Sequence, residues 1–312
     1  MSTAIDSLAA DYRALTEEVG LVDRSERGKL ALTGTEAREF LHGQVSNDIE
    51  ALEPGHGCYA AFLTPKGKML GDLRVLDVGD ELFLDTERVA LQELFNMIRR
   101  FKLGREVELH KRTVECALMS LIGPRVRAVV GDGLGHDEHD NISGEVGGVP
   151  VMFVATDVGV DVICDAGRAA DVKAALHVPE VSEAAAEVVR VEHGRPRYGV
   201  DLDDSVIPQE AGLNDRAVSF TKGCYVGQET VARLHYRGKP NRHLRGLRLS
   251  EPAAHGEPLR LGEREVGRIG SSVLSPAHGP IALAIVRREA SPGDTLAVGE
   301  GAATATVSAL PF

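Results

Sequence analysis

The stretch Lys222-Gly223-Cys224-Tyr225-Val226-Gly227-Gln228-Glu229 brings a thiol, a cation, an aromatic ring and two glycines into eight consecutive residues. Just beyond it, Val231 and Leu234 stand three apart with polar residues between them. That spacing predicts a short helix opening near Gly227, with Glu229 in its first turn. Cys224 then precedes a helix N-terminus. Free backbone N–H groups there and the ammonium of Lys222 both favour thiolate over thiol, so Cys224 reads as a reactive cysteine. The competing reading is structural, because a lone cysteine is commonly a small buried hydrophobe and Lys-Gly is a common turn pair.

The order of these residues resembles the Lys-Gly-Cys-Tyr-x-Gly-Gln-Glu signature of the YgfZ family, folate-binding relatives of the glycine-cleavage T-protein. The resemblance extends outward, over roughly residues 20 to 250. Leu21-Val22-Asp23-Arg24-Ser25-Glu26-Arg27-Gly28-Lys29-Leu30, followed by Gly34 to Asp48, is similar to the opening of that superfamily. Lys66-Gly67-Lys68-Met69-Leu70-Gly71-Asp72-Leu73-Arg74-Val75 resembles its lysine and glycine turn leading into a long strand. Arg190-Val191-Glu192-His193-Gly194, Asp201 and Ile207-Pro208-Gln209-Glu210 resemble its folate-contacting helix end and loop.

The resemblance implies an α+β fold of T-protein type: two α/β subdomains over residues 1–240 and a small C-terminal β-barrel over 241–312. It implies tetrahydrofolate or a derivative as cofactor, with a role in iron–sulfur cluster assembly or repair beside client or assembly proteins. Cys224, Lys222 and Asp72 are then the catalytic candidates, and Glu192, Asp201, Tyr225, Gln228, Glu229 and Arg237 the folate-binding ones. Glu192 corresponds to the pterin-binding glutamate of the T-protein. One carboxylate can meet the amide and amino edge of a pterin with paired hydrogen bonds.

Two departures argue against a complete glycine-cleavage site. Gly71-Asp72 stands where the T-protein carries an acidic pair, and Ala155-Thr156-Asp157-Val158-Gly159-Val160-Asp161 replaces its Gly-Tyr-Thr-Gly-Glu segment. The alternative functions are a tetrahydrofolate-dependent aminomethyl or one-carbon transferase, with Asp72 assisting proton transfer, and an RNA-binding protein connected with tRNA modification.

Composition bounds these readings independently. At 312 residues the chain exceeds the usual single domain, so two or three are expected. The four cysteines, Cys58, Cys116, Cys164 and Cys224, are dispersed without Cys-x-x-Cys spacing, so no zinc knuckle or self-contained iron–sulfur site is encoded locally and a reducing compartment is expected. Residues 1–20 carry Asp6, Asp11, Glu17 and Glu18 without a sustained apolar core, unlike a secretory signal. No later run reaches membrane-spanning length, and the expectation is a cytoplasmic protein. His136-Asp137-Glu138-His139-Asp140 lies in a Gly-rich stretch without a ligand frame, and no metal is expected there.

A net charge of −12 and few aromatic residues argue against general nucleic-acid binding. One window reverses the sign. Thr230 to Ser250 holds no acidic residue but six cations, Arg233, Arg237, Lys239, Arg242, Arg245 and Arg248. Such a segment suits either a solvated strand or the capture of an anion such as a folate glutamate tail.

Periodicity predicts helices over 7–19, 35–45, 168–177 and 183–193, and another after Thr86 as N-cap, where Leu91, Leu94, Phe95 and Ile98 share a face. Strands are expected over 29–33, 58–64, 68–77, 81–85, 115–122, 150–155 and 158–164, with 131–148 as a surface loop. After Pro240, short apolar runs broken by glycine and proline predict a small closed β domain.

Overall fold

The computed structural model describes residues 2–312, with side chains described from Ser7 onward. The chain opens with α1 (Ser2–Glu17), β1 (Gly20–Asp23), β2 (Gly28–Thr33) and α2 (Ala37–Gln44). A meander of β3 (Gly57–Leu63), β4 (Met69–Asp77) and β5 (Leu82–Thr86) follows, then α3 (Leu91–Phe101) and β6 (Glu108–Lys111). The second half contains β7 (Cys116–Ile122), α4 (Val126–Val130), β8 (Asn141–Val146), β9 (Val149–Ala155), β10 (Gly159–Asp165), α5 (Ala169–Leu176) and α6 (Glu183–Glu192). Two short helices, α7 (Asn214–Ala217) and α8 (Gln228–Arg237), lead into β11 (Arg242–Leu249), β12 (Pro258–Leu261), β13 (Arg264–Ser275), β14 (Gly279–Arg287), β15 (Thr295–Val298) and β16 (Thr304–Ser308).

Three sheets result. One runs β3-β4-β5-β2-β6, a second β1-β7-β10-β9-β8, and β11 to β16 close into a six-stranded barrel. Helices cover the outer face of the first sheet: Phe40 and Leu41 of α2 and Leu94 and Ile98 of α3 pack on Ala60, Phe62, Leu73 and Leu84. The fold is therefore α+β with a C-terminal barrel, as the texture after Pro240 predicts.

The inner faces of the two five-stranded sheets meet, and their residues alternate with the period of two that a strand imposes. Leu76 and Phe83 pack there against Leu118, Val154 and Ile163. Moving along each strand by two residues changes the chemistry. Leu76 is followed on its face by Arg74 and Asp72, Leu118 by Ser120, and Ile163 by Asp161. At one end the sheets are thus glued by apolar packing, and at the other they diverge around polar groups.

Two local expectations are corrected. Residues 131–148 are not wholly loop: β8 occupies Asn141–Val146 and pairs with β9 through the Gly147-Gly148 turn. Both glycines have positive φ, 57° and 75°, the geometry of a two-residue hairpin turn, and Gly144 leaves room for Phe153 on the paired strand. Thr86 is not an N-cap. It ends β5, buried, with its hydroxyl donating to the Asp72 carbonyl, and the helix starts only at Leu91.

Candidate functional site

Where the sheets diverge they enclose a cavity of about 190 Å³, roofed by α6 and by the segment after it. Asp72 on β4 is buried in its wall, and Tyr59 on the neighbouring β3 donates its hydroxyl to Asp72 Oδ2 at 2.7 Å. Burial pushes the Asp72 carboxyl up to about 6; the Tyr59 hydrogen bond opposes that rise and Glu87 adds to it. The Tyr59 hydroxyl is pushed well above its ordinary value by its own burial and by the adjacent Asp72. The guanidinium of Arg216 lies over the Tyr59 ring, 5.0 Å from its centroid, and pairs with Glu138.

The cavity floor is an ionic lattice that ties the two sheets together. Arg74 Nη1 donates to Asp161 Oδ2 at 2.5 Å and its Nε to Asp85 Oδ2 at 2.6 Å, while Ser120 Oγ donates to Asp161 Oδ1 at 2.6 Å. Arg27 completes the pairing of Asp85, with Nε at 2.8 Å from Oδ1. Burial alone would raise the Asp85 carboxyl, but Arg27 and Arg74 outweigh it and hold the group at about 2. Asp85 is held ionised at neutral pH, whereas Asp72, on the neighbouring strand of the same sheet, takes up a proton near pH 6. A carboxyl on a cavity wall with its pKa raised by burial is a candidate for acid–base chemistry.

Of the catalytic and folate-binding candidates named from the sequence, Asp72 alone lines this cavity. Glu192 lies just beyond the wall, in an adjoining depression that shares Thr156, Asp157, Val158 and His193 with it. There its carboxylate accepts from the Tyr12 hydroxyl at 3.1 Å and from Ser275 Oγ at 2.5 Å. Asp201 holds the body to the barrel: its buried carboxylate accepts from Arg190 Nη1 at 2.9 Å, the Arg197 amide at 2.9 Å and the Ser271 amide at 2.7 Å.

The Lys222–Glu229 loop wraps over the outer strand β3. Lys222 is buried, and its ammonium donates to the carbonyls of His42, Val45 (2.8 Å) and Asn47 (2.9 Å), tying down the end of α2 and the turn after it. Burial pulls its pKa down to about 8. The ammonium also sits 5.0 Å from the centroid of the Tyr225 ring, which packs in the core with Ala61, Met69 and Val231. Gly227 caps α8 at φ +87°, and a Cβ there would lie 2.6 Å from the Thr64 carbonyl, so only glycine fits.

This packing leaves Cys224 exposed, whereas Cys164 is buried and Cys58 and Cys116 are partly so. Burial raises the other three thiols, Cys58 to about 12 and Cys164 to about 11. Gln228 opens α8, and Glu229 and Arg237 are exposed on it. Arg242 is not a free cation, since it pairs with Glu210 at 2.8 Å. Among the described residues no three His, Cys, Asp or Glu side chains gather as a metal site, and no helix is long and apolar enough to cross a membrane.

Sequence reasoning missed Tyr59 and Arg216 on the cavity wall and weighed His139 only as a metal ligand. The strand alternation that places Tyr59 opposite Cys58 was readable; which face would line a cavity was not.

The comparisons with known proteins agree with this architecture. The family described as GCVT N-terminal domain matches residues 2–222, and that described as Glycine cleavage T-protein C-terminal barrel domain matches residues 242–312. A chloroplastic protein of Arabidopsis thaliana named as a candidate transferase is 28% identical over 315 residues, covering 96% of this chain and 72% of that protein. The crystal structure of glycine cleavage system aminomethyltransferase T from Bartonella henselae shares the fold, with a TM-score of 0.88 at 22% identity over 98% of this chain and 89% of that one. With both the paired-sheet body and the closing barrel matched, this chain belongs to the family of the GCVT N-terminal domain and carries the T-protein C-terminal barrel domain after it.

Proposed function

We propose that this protein binds a reduced folate, tetrahydrofolate or a derivative, in the cavity between its two sheets and handles a one-carbon unit there. The observation that carries the reading is the buried Tyr59–Asp72 pair on the cavity wall, with Asp72 poised near pH 6. The donor set fits the cofactor. A flat ring finds apolar walls in Ile122, Val158 and Val189, and polar partners in Tyr59, Asp72 and Thr156. A groove of about 330 Å³ continues outward past Arg195, Pro196 and Arg216 to Arg245, whose buried Nε has no partner among the described residues. That exit suits the benzoyl-glutamate tail.

Bound folate supplies the amine nitrogen that gives up or accepts the one-carbon unit. Asp72 takes or returns the proton of that exchange, with Tyr59 fixing the carboxylate's orientation. Glu192 would reach the pterin edge from the adjoining depression, exchanging its Tyr12 and Ser275 partners for the ligand. Titration calorimetry with tetrahydrofolate and its 5-formyl derivative tests the reading. Saturable heat is expected for the wild type and weaker binding for Glu192→Ala. No heat at high ligand concentration would remove the folate reading, and an unchanged affinity in the variant would remove only the role of Glu192.

A second reading concerns the cysteine loop and places the chain in the YgfZ branch, supporting iron–sulfur enzymes. Its support is the exposure of Cys224 together with the complete motif around it. An exposed thiol can ligate iron transiently or exchange with a persulfide. Complementation of a deletion strain with Cys224→Ala, read by iron–sulfur enzyme activities, tests it, and full rescue would make the loop purely structural.

A further inference from the structure

Among the described residues, His139 is the buried side chain of the cavity wall that makes no hydrogen bond. Its residue is 5% exposed, and neither Nδ1 nor Nε2 has a hydrogen-bond partner among the described residues. Everything around it is arranged to hold it there. Its amide donates to the Ala155 carbonyl at 2.8 Å, its own carbonyl accepts from Asn141, and the backbone adopts a left-handed φ of 78°. Across the gap, Gly57 makes space, since a Cβ there would come within 3.0 Å of the His139 Cβ.

The cavity arginines offer a contrast. Arg74, Arg195 and Arg216 are all paired with carboxylates, to Asp161, Asp157 and Glu138. Burial, reinforced by Arg74 and Arg216, pulls the imidazole down to about 3, so at neutral pH it offers one N–H donor and one bare acceptor nitrogen. Leaving both unmade costs stability, because a buried polar group then loses its water partners without a replacement. Both nitrogens are closed to water-sized solvent as the ring stands, and the nearest carboxylate oxygen, Glu138 Oε1, is 3.7 Å from Nε2, beyond hydrogen-bonding reach, so a ligand in the cavity pairs with them as the ring turns toward it.

We propose that His139 is a ligand-recognition residue of the cavity, hydrogen-bonding a donor-and-acceptor edge of the reduced heterocycle bound there. This rests on the folate reading and adds to it a contact from the Gly-rich segment of the second sheet, remote in sequence from Asp72, Glu192 and the cysteine loop. Oxidised and reduced pterins share the N3–H and 2-amino donors, and the reduced ring adds N5–H and N8–H, so an imidazole acceptor that meets N5–H or N8–H favours the reduced ring.

The test compares wild type, His139→Phe and His139→Asn by calorimetry with tetrahydrofolate and with fully oxidised folate, alongside thermal melting. His139→Phe keeps a flat ring of similar size. It is expected to weaken tetrahydrofolate binding by roughly tenfold to a hundredfold, erase the preference over oxidised folate, and not lower the melting temperature. His139→Asn, which tolerates left-handed backbone, is expected to lose less. Wild-type protein labelled with 15N-histidine provides a measurement that no variant's folding can spoil: tetrahydrofolate should move the His139 ring nitrogens. Unmoved ring shifts, or equal affinity in His139→Phe, would overturn the assignment while leaving folate binding intact. A wild type that binds neither folate overturns the folate reading and this one with it.

Discussion

Replacing Asp72 by Asn should make the protein more stable at neutral pH, by an amount that shrinks in acid. Burial lifts the Asp72 carboxyl from 3.8 to about 6, about two pH units of preference for the protonated form. At 1.36 kcal/mol per unit the ionised native state carries a penalty of about 3 kcal/mol. Its sign follows from linkage. Between the unfolded and folded pKa values the native state binds the proton and the unfolded chain does not, so stability falls as pH rises through that window. Above about pH 6 both states are ionised and the whole penalty is present; at pH 4.5 about 1 kcal/mol of it remains.

Asn is isosteric and its Oδ1 still accepts from Tyr59, while the Thr86 bond goes to the backbone carbonyl and survives. For a chain of this size about 3 kcal/mol corresponds to a melting temperature raised by about 5 °C at pH 7.5, falling below about 2 °C at pH 4.5. Differential scanning calorimetry of the two proteins at both pH values measures this. Under the proposed function, the same substitution should abolish folate-dependent one-carbon turnover, an exchange of activity for stability. An equal shift at both pH values, or a wild type more stable than Asp72→Asn at pH 7.5, would refute a strained carboxyl.

Limited alkylation at pH 8, read by peptide mass, should modify Cys224 before Cys58, Cys116 or Cys164, because it is exposed and the other three are raised by burial. Lys222→Met should lower stability by about 3 kcal/mol in chemical denaturation, because three carbonyls lose their donor. Asp201→Ala should cost about 3–5 kcal/mol and open the barrel junction to limited proteolysis, since Arg190 and the Ser271 amide lose a shared buried acceptor.

The cysteine motif shows how far local sequence reaches. Gly227 and the helix after it were legible because a positive φ and an apolar spacing are properties of a few adjacent residues. The partner of Lys222 was not. Reading the chain locally sets its ammonium beside Cys224, two residues away, whereas the fold sends it to carbonyls at 42, 45 and 47 and leaves the thiol in solvent. The same limit applies at Glu192, where helix periodicity gives the end of α6 but not the Tyr12 and Ser275 hydroxyls contributed by the first helix and the barrel.

The cavity itself is the least local feature of all. Its chemistry arises where Asp72, Ser120 and Asp161 fall on inward faces two residues beyond or before the apolar pairs that glue the sheets. Each strand alone reads as an ordinary buried strand carrying one polar residue. Only when two such faces are opposed do the polar positions align, and the cost of burying them is offset by mutual pairing at Arg74 and Arg27. The Tyr59–Asp72 couple and the unbonded His139 stand outside that pairing, and they are the groups the proposed ligand engages. On the proposed reading, function follows from which polar groups the lattice leaves unneutralised, and the Asp72→Asn and His139→Phe measurements test that logic at its two ends.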